Sequence, residues 1–208
     1  MSSIEELAQL FRKFPGIGER QAKRFVYFLL KSRPEYVEKL LQEIRNTRNN
    51  TKVCQESYQF FVADEQSSTI SFIARDPSRD KTKLLIVEKD TDLQNIEKMR
   101  VYDGNYFVLG GSLPYLAENP ERLIRINELK AIIEMKVKRD SLTEIIFALS
   151  ATPQGEHTEE YIKNNVSEIV SKNSLKLSHL GRGLSTGLEI EYSDKDTFEN
   201  AFNHRSEV

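Results

Sequence analysis

FPGIGERQAKRFVYFLL, Phe14 to Leu30, decides how the rest of the chain is read. A proline leads into two glycines that flank one isoleucine, and basic residues then interrupt a strongly apolar run. Upstream, Ile4, Leu7, Ala8, Leu10 and Phe11 recur at helical spacing, and Ser3 is placed to cap them. Downstream, a second helix is expected from about Glu19 to Lys31, and Pro34 fits the start of a third that runs through Ile44. A turn of the form hydrophobic-Gly-hydrophobic-Gly between two helices is a helix-hairpin-helix. Gly16 and Gly18 supply backbone freedom and leave their N–H groups uncovered. Ile17 is expected as a peg between the helices, Ala22 as the point of close approach, and Phe25, Val26, Phe28 and Leu29 as the buried face.

The charge is as local as the turn. From Phe11 to Pro34 the basic residues are Arg12, Lys13, Arg20, Lys23, Arg24, Lys31 and Arg33, and Glu19 is the sole acid, a local +6 in a chain whose net charge is −2. Bare N–H groups beside the positive end of a helix make an anion site. Adding arginine and lysine suits the phosphate backbone of a nucleic acid, held without base reading. Arg20 and Arg24, four residues apart on one face just after the turn, are the leading contacts, with Lys23 beside them. The competing reading is a tight helix-helix turn with a solvated basic face.

The totals set bounds. The 208 residues suit one large domain or two small ones, 38% hydrophobic and 30% charged. The single cysteine, Cys54, rules out a disulfide framework within the chain and points to a reducing compartment. MSSIEELAQL carries two glutamates and no basic stretch, so no secretory signal is expected. With no apolar run of about 18 residues, no membrane span is expected either, and the chain reads as cytoplasmic.

Beyond the helices the periodicity changes. QFFVADEQSSTISFIA suggests a hairpin of two β-prone runs around DEQSS. From Lys83, strands and helices alternate: LLIVE, a helix carrying Leu93 and Ile96 capped near Asp90 or Thr91, YFVLGG, a long helix over 121–139, EIIFALS, a helix over 156–172, and LKLSHL. Short continuous apolar strands alternating with helices imply a mostly parallel sheet covered on both faces. GRGLSTGLEIEY follows, in which Leu188, Ile190 and Tyr192 alternate with Glu189 and Glu191, and a short helix is expected from Asp194 to Phe202.

Taken in order, PGIGERQAKR, LLIVEKDTDLQNIE, YFVLGGSL, QGEHTEEYI and HLGRGLSTGLEIEYSD resemble the RecR family of bacterial recombinational repair proteins over nearly the whole chain. The resemblance implies a helix-hairpin-helix region at 1–52, a small zinc-finger hairpin at 53–78, a Toprim domain at 79–178 and a C-terminal assembly segment at 179–208. The fold class is therefore α/β, with an N-terminal helical region, a small β-hairpin and a Toprim-like, mostly parallel sheet with flanking helices. The resemblance also implies DNA as a ligand, RecO-like and RecF-like partners, loading of RecA at single-stranded gaps, and ring-like homo-dimers or homo-tetramers.

Two departures from the family pattern matter. Four cysteines hold zinc in the finger, and aligning the pairs puts Cys54, Ser57, Ser71 and Ala74 at those positions. Structural zinc needs four thiolate or imidazole ligands, and the three histidines, His157, His179 and His204, lie elsewhere. A finger without metal is expected, with no cofactor, Cys54 as an ordinary buried thiol, and Phe60, Phe61, Val62, Ile70, Phe72 and Ile73 packed in the metal's place. The second departure lies in the Toprim region. Catalytic Toprim enzymes hold magnesium with a glutamate and an Asp-x-Asp pair. Glu88 occupies the first position, but Ser150 and Thr152 stand where the aspartates belong, which leaves Glu88 and Glu156 as acidic positions suited to partner contact. The expected function is thus a non-catalytic DNA-binding mediator of recombinational repair. The alternative is a Toprim-type magnesium-dependent nuclease or primase-like enzyme.

Three features carry a weaker signal. Gly110-Gly111 after a buried strand reads as either a phosphate cradle or a tight turn, and no Walker motif accompanies it. The tail around Arg182 reads as either an intersubunit strand or an internal edge. His157 reads as a solvated helix residue.

Overall fold

The computed structural model describes residues 2–63 and 68–181, together with Thr197. The expected DEQSS turn (largely), Arg182, the alternating strand at 188–192 and the helix at 194–202 lie outside the described residues. The chain divides into two compact units, residues 1–51 and residues from 52 onward.

Three helices build the first unit: α1 (Ser3–Phe11), α2 (Glu19–Lys31) and α3 (Pro34–Asn50). The cap of α1 is Ser2 rather than Ser3. Its hydroxyl accepts the Glu5 N–H, and the Glu5 carboxylate accepts the Ser2 N–H. Both serines have a glutamate three residues on, so spacing alone does not choose between them. Helix α3 continues six residues past Ile44, because the polar run RNTRNN ends the apolar period without ending the helix. The core is small: Ala8, Ala22 and Val26 are buried, with Leu7, Phe11 and Ile17 packed against them. Ile17 and Ala22 thus sit where the turn reading puts them. Leu10 and Phe28, assigned to the buried face, are more than half exposed.

The second unit opens with β1 (Thr51–Val53), β2 (Phe60–Val62) and a short helix, α4 (Phe72–Arg75). The small hairpin is present, but β2 pairs with β1. The run expected as its second strand turns instead into α4, capped by the Ser71 hydroxyl, which accepts the Ala74 N–H.

A four-stranded parallel sheet follows, made of β3 (Asp80–Val87), β4 (Gly104–Val108), β5 (Glu144–Ala148) and β6 (Lys176–His179), in the order β4-β3-β5-β6. Between the strands run α5 (Asp90–Met99), α6 (Pro120–Leu123), α7 (Ile126–Asp140) and α8 (Pro153–Asn173). The cap of α5 is Lys89, whose N–H is accepted by the Asp92 carboxylate. The expected helix over 121–139 is two helices, broken where the extended Ile124 drops into the core.

LLIV shows why the sheet needs helices on both sides. Leu84 and Ile86 pack with Leu129, Ile133, Ile162 and Val166 of α7 and α8. Leu85 and Val87 pack with Leu93 and Ile96 of α5 on the other face. All four side chains are essentially excluded from solvent. Burying each contributes about 1.5–3 kcal/mol.

One glycine is demanded by packing. A Cβ on Gly155, in the first turn of α8, would lie 2.0 Å from the Ser150 carbonyl oxygen. Elsewhere in a helix an alanine gains about 1 kcal/mol over glycine. Here the clash with backbone outweighs that gain, and Gly155→Ala is expected to destabilise the protein by about 1–3 kcal/mol. Denaturant unfolding checks it as a lower midpoint at unchanged slope.

Candidate nucleic-acid interface

The turn between α1 and α2 is built as an open donor site. Gly16 has φ +75, a left-handed conformation that glycine adopts without strain. Gly18 has φ −83 and needs no glycine for its conformation. A Cβ on either residue would meet nothing within 4 Å. What glycine secures at position 18 is access to the N-terminus of α2, which has no side-chain cap. Within the turn Ile17 donates to the Phe14 carbonyl, while no bond from the Gly16 or Gly18 N–H closes it.

The basic side chains around this turn differ in freedom. Lys23 is paired with Glu19 at 2.8 Å, and Arg24 donates to Gln21 at 3.3 Å. The hydrogen bond from Lys23, then the charges of Lys23 and Arg12, hold the Glu19 carboxyl below its usual range. The pairing quiets the one acid that would repel an anion at this helix end. Arg20 is exposed and has no partner among the described residues. Charge counting passes over Tyr27, which lies within the same stripe. Its spacing, four residues after Lys23 and four before Lys31, was the available signal.

In the second unit the finger positions converge on one sulfur. Cys54 is fully buried, and its Sγ accepts N–H bonds from Ser57 at 3.5 Å and Ser71 at 3.3 Å. Burial pushes the thiol up, but hydrogen bonds from the side chains and backbones of Ser57 and Ser71 outweigh it and leave it lowered. Cys54 is therefore more than a space-filling thiol. The residues do not fit zinc: one sulfur is present, the Ser71 hydroxyl is spent capping α4, and Ala74 offers no ligand.

Nor does an apolar cluster stand in for the metal. Phe60, Val62 and Phe72 are exposed, and Ile73 packs on the sheet instead. Polar bonds tie the knuckle down. Val108 N–H at the free edge of β4 donates to Ser57 O at 2.7 Å, and Phe60 N–H donates to Asp90 Oδ1 at 2.6 Å. Arg125 donates to Tyr58 O at 3.0 Å and stacks over the Tyr58 ring, which rests on Phe107. Glu56 receives a two-pronged bond from Arg139, at 2.6 and 2.8 Å, and approaches the buried ammonium of Lys136 at 3.5 Å. Asp140 completes this cluster. Sequence reading missed it because Glu56 lies 83 positions from Arg139, with no local period to join them.

The acidic corner of the sheet is closed. Glu88 is buried at the end of β3, and its Oε1 accepts the Ser150 N–H at 2.7 Å. Thr152 caps α8 by accepting the Gly155 N–H, and Glu156 is exposed in the first turn of that helix. Among the described residues no group of three or more His, Cys, Asp or Glu is placed to hold a metal. Gly110 has φ +95, and its N–H is spent on Glu88 O, so Gly110-Gly111 is a tight turn rather than a phosphate cradle. His157 is half-buried and stacks on Tyr115 at 4.9 Å rather than standing in solvent.

Comparison with known proteins agrees with this geometry. The family model for the RecR helix-hairpin-helix matches residues 4–48, and that for the Toprim domain matches 82–180. The recombination protein RecR of Amoebophilus asiaticus is 34% identical over 203 residues, covering 97% of this chain and 94% of its own. The chain belongs to the RecR family. RecR of Endomicrobium trichonymphae is 34% identical over 206 residues, covering 99% of this chain and 97% of its own, and RecR of Lactobacillus acidophilus is 32% identical over 207 residues, covering 98% and 96%. RecR relatives are named for recombination, and no helix among the described residues is long and apolar enough to cross a membrane.

The Glu56 cluster makes a pH prediction. Hydrogen bonding from Arg139 is the largest influence and keeps the Glu56 carboxyl below its usual value of 4.5 despite burial. A depressed acid stabilises the fold above its unfolded pKa, and that contribution is lost as pH falls through the folded value. Glu56→Gln is expected to cost about 1.5–3 kcal/mol at neutral pH, with the difference from wild type shrinking as pH drops well below 4.5. Urea unfolding at stepped pH checks both parts.

Proposed function

We propose that this RecR-family chain is a non-catalytic DNA-binding mediator of recombinational repair. The α1–α2 hairpin grips phosphates through Gly16, Gly18, Arg20, Lys23 and Arg24. The observation that carries the reading is the coincidence of uncovered backbone donors, a bare helix N-terminus and an Arg20 without a partner among the described residues, within a stretch of local charge +6. The Toprim domain then serves as a platform for RecO-like and RecF-like partners, with Glu88 shaping the corner and Glu156 exposed on it, and the assembly helps load RecA at single-stranded gaps. A magnesium-dependent nuclease or primase is the weaker reading, because the Glu88 carboxylate is taken up by Ser150 and no aspartate stands at 150 or 152. The single, buried cysteine favours work in the cytoplasm.

The first unit's exposed apolar side chains support assembly as a homo-dimer or homo-tetramer. Only Ala8, Ala22 and Val26 are buried there, while Leu10, Phe14, Phe28, Leu30 and Ile44 are each more than half exposed. A groove lined by Phe25, Phe28, Leu29, Tyr36 and Leu40 runs through this surface. A second copy presents the same apolar surface in return.

Two outcomes test the proposal. Fluorescence anisotropy on a gapped duplex should show log affinity falling linearly with log salt, and Arg20→Ala/Arg24→Ala should flatten that slope by about two units. An unchanged slope would make the hairpin a mere helix turn. Separately, chelator treatment should leave the melting temperature of the wild type unmoved. Ser57→Cys/Ser71→Cys/Ala74→Cys should gain one zinc and a chelator-sensitive melt. A chelator-sensitive wild type would overturn the metal-free reading.

A further inference from the structure

The exposed face of α2 carries more than charge. Arg20, Lys23, Arg24 and Lys31 recur at helical spacing, and Tyr27 falls in their midst, at i+7, i+4, i+3 and i−4 respectively. All five side chains are exposed, Tyr27 by 52%. The ring joins none of the core clusters among the described residues. It belongs neither to the Ala8–Ala22–Val26 core nor to the groove lined by Arg24, Phe25, Phe28 and Leu29, which runs alongside the basic stripe. Its aromatic neighbours on the chain do have ring partners: Phe25 packs on Phe11, and Phe28 on Tyr36. Phosphate contact alone would be served by another basic or small polar residue at this position. An aromatic ring between cations instead matches a strand whose bases are unpaired, because each base offers a π-face that stacks without regard to its identity. Duplex bases are already stacked and offer no such face.

We propose that Tyr27 is a base-stacking residue and that the α2 face binds single-stranded DNA, the flanking cations following the phosphates while the ring holds a base. This rests on the DNA-binding reading above and adds to it a preference for unpaired strand. The backbone donors at Gly16 and Gly18 do not discriminate strand from duplex, whereas the ring does.

The chain contains no tryptophan, so Tyr27→Trp installs a single reporter. The probes are a short dT oligonucleotide, an abasic strand with the same number of phosphates, and a duplex. Tyr27→Ala is expected to weaken dT binding by about 5- to 100-fold and leave the abasic strand and the salt slope unchanged. Tyr27→Phe should bind like wild type, and the Tyr27→Trp fluorescence should be quenched by dT but not by the abasic strand. Equal losses on dT and abasic strands, no loss on either, or an unquenched tryptophan would overturn the inference while leaving the DNA-binding reading intact. So would a drop in oligomer mass by light scattering for Tyr27→Ala, which would place the ring in a contact between copies. If the wild type binds none of the three probes, the DNA-binding reading itself fails, and the stacking role falls with it.

Discussion

Burial of β3 on both faces is the constraint from which the second unit follows. A strand reading LLIV has no polar side to turn to water, so helices must cover it above and below. The chain obliges with α5 on one face and α7 and α8 on the other. Placing β4 and β5 on opposite sides of β3 opens a corner at the strand ends, where sheets of this kind usually hold ligands. Glu88 sits in that corner, but its carboxylate closes the loop after β5 instead of waiting for a metal.

The free edge of β4 poses a second problem, because an unpaired strand edge invites association. The knuckle around Cys54 covers part of it, through the bond from Val108 to Ser57. A metal would hold such a knuckle by joining four ligands at one point. This chain distributes the task among the N–H bonds to the Cys54 sulfur, the Arg125–Tyr58 stack and the Glu56–Lys136–Arg139–Asp140 cluster. Buried charges of this kind are costly unless fully paired, and Lys136 meets two acids. The knuckle's attachment thereby depends on pH through the Glu56 carboxyl.

The helical unit works by leaving things uncovered. A three-residue core, a helix N-terminus without a cap and an arginine without a partner among the described residues would each be a defect in an isolated domain. Together they fit the proposed reading, in which phosphates meet the turn and a second copy meets the groove. Glu19 shows the selectivity of the arrangement, since its pairing with Lys23 partly offsets the one local charge that would oppose an anion.

Local patterns in the sequence determined a good deal. The span of α2, the peg at Ile17, the close approach at Ala22 and the alternation of strands and helices from β3 onward follow from spacing between residues near in the chain. The helix-hairpin-helix and the absence of the aspartate pair were equally legible, being matters of residue type at adjacent positions. Tertiary structure decided the rest. The run SFIA joined a helix rather than a strand because Ser71 was drawn to cap it and to the Cys54 sulfur. Leu10 and Phe28 stayed exposed because a core centred on two alanines and a valine is too narrow to reach them. What ties the Cys54 knuckle to the sheet could not be read locally, since it includes an ion pair between Glu56 and Arg139, 83 residues away. Period and motif report on neighbours in sequence, and only the folded chain brings distant charges close enough to choose one another.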